Sequence, residues 1–350
     1  MKKLIIKSSV CIALSKAGFL SKKYNFLSLL LEGKNFRDRR LAGKGKHPSR
    51  AKKTNVEIMA KTFVHKKLNV SDCSVDLEIG GSGPALLLLH GFPETKFAWH
   101  KIAPKLVNDF TVVLPDLPGY GDSTGPVPDA KYENYSKRKI GAIMMQLMHE
   151  LGFETYRLAG HDRGARVAYR MALDHPAEIT RLAILNIIPT LEMMERLNYD
   201  TALKMENWLF LTQPAPLPET MIAASPKFYL NYILDSWSAK PELISQQART
   251  RYLRYFKRPE VIAAMCAEYR ASGIDAVYDR EDRVNQRRIQ CPALVLWSEN
   301  DYPAGLIDLL AIWKNWADNV SGLGLPCGHF LMEEKPDEVL QHFLNFFKNS

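Results

Sequence analysis

The stretch Gly160-His161-Asp162-Arg163-Gly164 is where this chain of 350 residues could do covalent chemistry. A largely apolar run at 156–159 precedes it and a helix-like stretch at 165–173 follows. Asp162 therefore sits on a strand–turn–helix corner of the G-x-nucleophile-x-G kind. Flanking glycines relieve crowding where a sharp, strained turn pushes a side chain outward. At the centre stands a carboxylate instead of a hydroxyl or thiol. Serine there suits attack on an acyl carbon. A carboxylate suits displacement of a leaving group from saturated carbon, which leaves an alkyl ester on the enzyme. One residue thus moves the reading from ester hydrolysis to dehalogenation or epoxide opening.

Such a nucleophile needs a base to activate water, an acid to orient that base, oxyanion donors and a leaving-group site. The base candidate is His329, in Cys327-Gly328-His329-Phe330 near the C-terminal end. Its place fits the chain order nucleophile, acid, histidine. The oxyanion site is expected after the apolar run 85–89, in His90-Gly91-Phe92-Pro93, with the backbone N–H groups of Phe92 and Arg163 as donors.

The elements that must hold these groups alternate. Strands are predicted at 75–79, 85–89, 111–114, 156–159 and 182–185, with helices near Trp99, at 135–151 and at 165–174. Continuous apolar runs such as 85–89 suit strands buried on both faces. From about 190 to 285 the rhythm breaks into helical pieces rich in Met, Tyr and Trp. It resumes with a strand at 292–297, a helix at 305–316, an apolar run near 320–325 and a helix at 336–347. The pattern predicts an α/β fold, a doubly wound, mostly parallel sheet with a helical cap inserted at 190–285 between core segments 61–189 and 286–350.

HGFPET, PDLPGYGDS, GHDRGAR and QPAPLPE together resemble the haloacetate dehalogenase branch of the α/β-hydrolase superfamily, close to the fluoroacetate dehalogenases. The likeness runs from about residue 63 onward. HGFP and GYGDS are shared with epoxide hydrolases. The resemblance implies that Asp162 attacks the α-carbon of a 2-halo acid and expels halide, and that His329 then activates the water that hydrolyses the ester. It also implies that Arg163 and Arg166 clamp the substrate carboxylate, a task to which guanidinium forks are matched. Haloalkane dehalogenases and most epoxide hydrolases carry Trp directly after the nucleophile. Arg163 at that place favours an anionic substrate.

Two departures from the pattern carry consequences. Dehalogenases of this branch have an Asp after the strand that follows the elbow helix, where this chain has Asn186. An amide cannot stabilise an imidazolium by charge. The triad acid is therefore expected at Asp301, in Ser298-Glu299-Asn300-Asp301, with Glu299 as second candidate. The second departure lies in the halide site, which the resemblance builds from a His-Trp pair and a Tyr. Here these positions hold Asn207, Trp208 and Tyr269. An epoxide hydrolase using the same Asp162, Asp301 and His329, with cap tyrosines such as Tyr232 or Tyr269, is the alternative. A non-catalytic binding member of the fold is a third reading.

Composition narrows the remaining choices. The net charge of +9 invites a nucleic-acid partner, but the first 60 residues hold 15 Lys and Arg against three Asp and Glu, so the rest is mildly acidic. The partner expected is a small, anionic molecule, with no nucleic acid and no cofactor, and a homodimer is left open. The basic leader at 1–60 is read equally as an upstream over-long start, a targeting segment or a tail, with Met59 as a plausible beginning of the folded part. Five dispersed cysteines suggest neither disulfides nor a metal site, and a reducing, cytoplasmic setting follows, the leader leaving targeting or export open. No later segment reaches the roughly 20 apolar residues of a membrane span.

Overall fold

The computed structural model describes residues 54–300 and 307–348. Eight strands form one sheet: β1 (Val64–Val70), β2 (Cys73–Gly80), β3 (Ala85–Leu89), β4 (Thr111–Pro115), β5 (Tyr156–His161), β6 (Ile179–Leu185), β7 (Ala293–Ser298) and β8 (Val320–Leu325). Their order is β1-β2-β4-β3-β5-β6-β7-β8. β2 pairs antiparallel with both β1 and β4, and every other neighbouring pair is parallel. β3 is buried along its whole length, as its unbroken Ala-Leu-Leu-Leu-Leu run requires in a sheet covered on both faces. The chain leaves β3 for β4 on one side and reaches β5 on the other, so the strand order reverses at β3. Ligands of open α/β sheets bind beyond the carboxyl ends of strands at such a reversal.

Helices flank this sheet. Helix Lys137–Glu150 starts on the Ser136 side chain, which accepts from the Lys139 N–H, and buries Ile140, Ile143, Met144, Leu147 and Met148 at spacings of three and four. Helix Arg163–Asp174 is buried from Arg163 to Leu173. Between β6 and β7 the chain forms no strand. It runs through short helices from Thr190–Glu195 to Ser272–Val284 before β7 begins at Ala293.

Two expectations need adjustment. Met59, read as a plausible beginning of the folded part, lies inside a helix. That helix, Asn55–Thr62, starts with a capping box between Thr54 and Glu57, and Met59 is buried in the core. The basic leader read as 1–60 therefore overlaps this helix; its residues 1–53 lie outside the described residues. β1 was not expected, because Val-His-Lys-Lys-Leu-Asn-Val on an exposed edge carries too few apolar residues to announce a strand. Near Trp99 the helix is a single 3-10 turn, Lys96–Trp99. Among the described residues no helix is long and apolar enough to cross a membrane.

Candidate active site

Asp162 follows β5 with φ 47° and ψ −115°, outside the regions a non-glycine residue occupies without strain. Its neighbours allow that turn only because they lack side chains. A Cβ on Gly164 would lie 2.3 Å from the His90 carbonyl oxygen, and one on Gly160 would lie 2.5 Å from the Gly164 oxygen. The corner pushes the Asp162 carboxylate towards the loop after β3, where the Phe92 N–H donates to its Oδ1 at 2.9 Å. Burial opposes the charged form of Asp162. His329, His161, Arg163 and the Phe92 N–H outweigh it and hold the carboxyl below its usual range.

His329 follows β8, and its Nε2 lies 3.8 Å from Asp162 Oδ2. The ring packs against Trp237 at 4.8 Å between centroids, and the His329 N–H donates to the Trp237 carbonyl at 2.8 Å. Asn186, at the end of β6 with φ 61°, brings its Nδ2 to 2.8 Å from His329 Nδ1. The Ser298 N–H, at the end of β7, donates to Asn186 Oδ1 at 2.9 Å and so orients the amide. Asn186 thus touches the His329 ring, although an amide brings no charge. Asp301 lies outside the described residues. Glu299 is exposed.

Both arginines of the elbow helix are buried beside Asp162. The Arg163 guanidinium lies 4.1 Å from the Tyr269 ring centre and 5.0 Å from that of Trp208, and Arg166 lies 4.5 Å from Trp208. Arg166 Nη1 donates to the Ile188 carbonyl at 3.1 Å and to Thr190 Oγ1 at 3.0 Å. Among the described residues Arg163 Nη1 and Arg166 Nε are buried without a hydrogen-bond partner. Burial, then Arg163, disfavour the charge on Arg166 and lower its pKa. Two buried guanidiniums with unused donors, next to the Asp162 carboxylate, form a place for an anion.

The helical insertion supplies the opposite wall. Tyr269 is buried against Phe92, with ring centres 5.4 Å apart, and meets Trp208 edge-on at 5.9 Å. Asn207 is buried, its Oδ1 accepts from the Tyr229 hydroxyl, and its Nδ2 has no partner among the described residues. Tyr232 does not belong here. It is 46% exposed, and its hydroxyl is 3.4 Å from Glu206 Oε1.

Residue-by-residue reading of the sequence does not single out His161, Trp237, Tyr229 or Glu268. His161 Nε2 faces the His329 carbonyl oxygen at 2.8 Å, so that nitrogen carries a proton, while Nδ1 meets Glu94 Oε2 at 2.9 Å. The His161–Glu94 pair thereby ties the His329 main chain to the loop after β3. The only signal for His161 in the sequence is its place directly before Asp162. Trp237, Tyr229 and Glu268 carry none, because a helical stretch full of aromatic and acidic residues does not mark which ones turn inward. Among the described residues no group of three or more His, Cys, Asp or Glu side chains is placed to hold a metal ion.

Comparison with known proteins agrees with this architecture. The pattern of the alpha/beta hydrolase fold family matches residues 84–336. A fluoroacetate dehalogenase of Burkholderia sp is 39% identical over 292 residues, which cover 82% of this chain and 95% of the relative. A soluble epoxide hydrolase of Corynebacterium sp. (strain C12) is 29% identical, covering 83% of this chain and 99% of the relative. A crystal structure from Nostoc sp PCC 7120, described as an alpha/beta hydrolase, superposes with a TM-score of 0.81 at 44% identity over 83% of this chain and all of that one.

Proposed function

The chain belongs to the alpha/beta hydrolase family, and from that membership we propose that it hydrolyses the carbon–halogen bond of small 2-halo acids such as haloacetates. Asp162 is the nucleophile. It displaces halide from the α-carbon and is left as an alkyl ester. His329 then takes a proton from water, the water attacks the Asp162 carbonyl carbon, and the hydroxy acid departs with Asp162 restored as a carboxylate. Phe92 N–H, already on Asp162 Oδ1, receives the oxyanion of that second step, with the Arg163 N–H as its companion. Ester formation removes the Asp162 charge that faces His329, and with it a partner that favours a protonated ring. The base is thereby readied at the moment it is needed.

The observation that carries this reading is Arg166. It is a buried cation paired with no carboxylate among the described residues, with Nε unmet, one helical turn from the nucleophile. A substrate carboxylate placed there holds one end of a two-carbon molecule and aims the other at Asp162. Trp208, Tyr269 and Asn207 then face the departing halide from the insertion, which acts as a cap. For the base, a lone Asn186 donor on Nδ1 would keep the proton on Nε2, the reverse of what a base requires. That favours a carboxylate on the same nitrogen, and Asp301 is our assignment, Glu299 being exposed.

An epoxide hydrolase using Asp162, Asp301 and His329 is the second reading, favoured by the buried Tyr269, whose phenol feels the Asp162 charge, and by the epoxide hydrolase relative. It needs tyrosines to protonate the opening oxygen, and Tyr232 is turned to the surface, which weighs against it. A panel of fluoro-, chloro- and bromoacetate with styrene oxide separates the two. Halide release from chloroacetate or bromoacetate is expected; diol formation without halide release would overturn the assignment.

A further inference from the structure

A carboxylate from the insertion penetrates the cationic side of the site. Glu268, on helix Pro259–Arg270, is 2% exposed and is met by donors from three segments of the sheet side. Arg163 Nε lies 2.8 Å from each of its oxygens, Lys137 Nζ pairs with Oε1, and the Tyr120 hydroxyl donates to Oε2 at 3.2 Å. Arg163 Nη2 donates to the Glu268 carbonyl at 3.1 Å and to Ser272 Oγ at 3.4 Å. Burial opposes the Glu268 charge, but Arg163 and Lys137 outweigh it and keep the carboxyl below its usual range. Lys137 also pairs with Asp275 at 3.4 Å. The Nε–Nη2 edge of Arg163 is therefore fully occupied, and Nη1 is what remains for the site.

We propose that Glu268 is a positioning and specificity-determining residue, which pins Arg163 so that a substrate carboxylate docks on Arg166 and takes one N–H from Arg163. The inference rests on the anionic-substrate reading above. Two forks side by side could each draw the carboxylate onto their own open edge, and a shift of about 1 Å at the reacting carbon is costly to an in-line displacement. With Arg163 pinned, one docking direction is left. The same pairing sets a charge limit. Glu268 and Asp275 already match Arg163 and Lys137, so Arg166 is the buried cation left over for the substrate. The site then suits a compact monoanion, whereas a dicarboxylate brings a second charge that finds no cation.

Glu268→Gln keeps the shape and removes the charge. The expected result is a kcat for chloroacetate lowered at least about tenfold with KM moved less than about threefold, since attraction to Arg166 persists while orientation is lost. The preference for chloroacetate over 2-chlorosuccinate should shrink in the same variant, because Arg163 and Lys137 become open to a second carboxylate. A merely structural Glu268 would not change that preference. Lys137→Met combined with Glu268→Gln removes buried charge of both signs and serves if the single variant does not fold; the same loss of kcat is expected. Unchanged kcat in whichever variant melts cooperatively overturns the proposal. Calorimetry of the unaltered protein with acetate and succinate needs no turnover. A preference for acetate of at least about tenfold is expected, and equal affinity overturns the charge limit whether or not either variant folds. Absence of haloacetate turnover with that preference intact would count against the dehalogenase reading and leave the role of Glu268 standing.

Discussion

The strand ends and the helical insertion face each other across Asp162, and they position their side chains by different means. On the sheet side, each group follows directly from a strand: Phe92 after β3, Asp162 after β5, Asn186 after β6 and His329 after β8. Turn geometry fixes them, through positive φ at Asp162 and Asn186 and close backbone approach at Gly160 and Gly164. On the insertion side, side chains fix one another. Tyr229 holds Asn207, Trp208 and Tyr269 lie over two guanidiniums, and Glu268 is held by Arg163, Lys137 and Tyr120. Chemistry carried by main-chain turns resists substitution nearby, whereas specificity carried by side-chain pairs can be retuned one residue at a time. The sheet side should therefore show all-or-none losses and the insertion graded ones.

The largest effect is expected on the sheet side. Asp301→Asn should lower turnover by about four orders of magnitude, as loss of a triad acid does when the base is left in the wrong tautomer. Asn186→Ala should cost far less. Equal, small effects would remove Asp301 from the role and leave Asn186 as the orienting group.

Next comes the junction of the two regions. Arg166→Lys keeps the charge and loses the fork, and a charge-assisted pair of about 1.5–3 kcal/mol corresponds to a loss of roughly 10- to 150-fold in kcat/KM for haloacetate. Neutral haloacetamide processed as well as haloacetate by the unaltered protein would contradict a carboxylate clamp.

A stability effect sharpens the contrast further. Glu333, in the segment that follows His329, is buried beside Lys101 at 2.9 Å, and burial raises its carboxyl from 4.5 to about 7 despite that cation. A carboxyl whose folded pKa is raised supports folding at pH below its unfolded value, and that support is lost as pH rises towards the folded value. The melting temperature of the unaltered protein should therefore fall between pH 4.5 and 7 relative to Glu333→Gln. Parallel melting curves for the two proteins across that window would contradict it.

The smallest effect belongs to the insertion alone. Asn207→His should raise fluoroacetate turnover relative to chloroacetate by a few-fold, because cleavage of the stronger bond depends most on donors to the departing halide. In the unaltered protein chloroacetate or bromoacetate should be the faster substrate. An unchanged halide ratio in Asn207→His would show that this position does not address the leaving group.

The same contrast explains what could be read from the sequence. Apolar runs such as β3 and β5, and the glycines around Asp162, encode main-chain geometry locally, so the sheet, the elbow and the Asp162–His329 pairing were legible. β1 escaped because an exposed edge strand needs few apolar residues. Tyr232 and Tyr269 looked alike in the sequence, and packing alone turns Tyr269 inward. Glu268 and Tyr229 were invisible because their partners, Arg163, Lys137 and Asn207, lie at least 22 residues away in the chain. Asn186 lacks the charge a triad acid needs, yet its neutral amide still reaches the His329 ring.

The central claim is that Asp162 itself forms the ester. A single turnover of chloroacetate with excess protein in heavy-oxygen water, followed by mass spectrometry of the peptide containing Asp162, tests it most directly. Water attacking the Asp162 carbonyl carbon should leave the label in the Asp162 carboxylate while the first-formed glycolate carries unlabelled oxygen from the protein. Label in glycolate alone, with Asp162 unlabelled, would mean that water attacks the substrate directly and would contradict the nucleophile assignment.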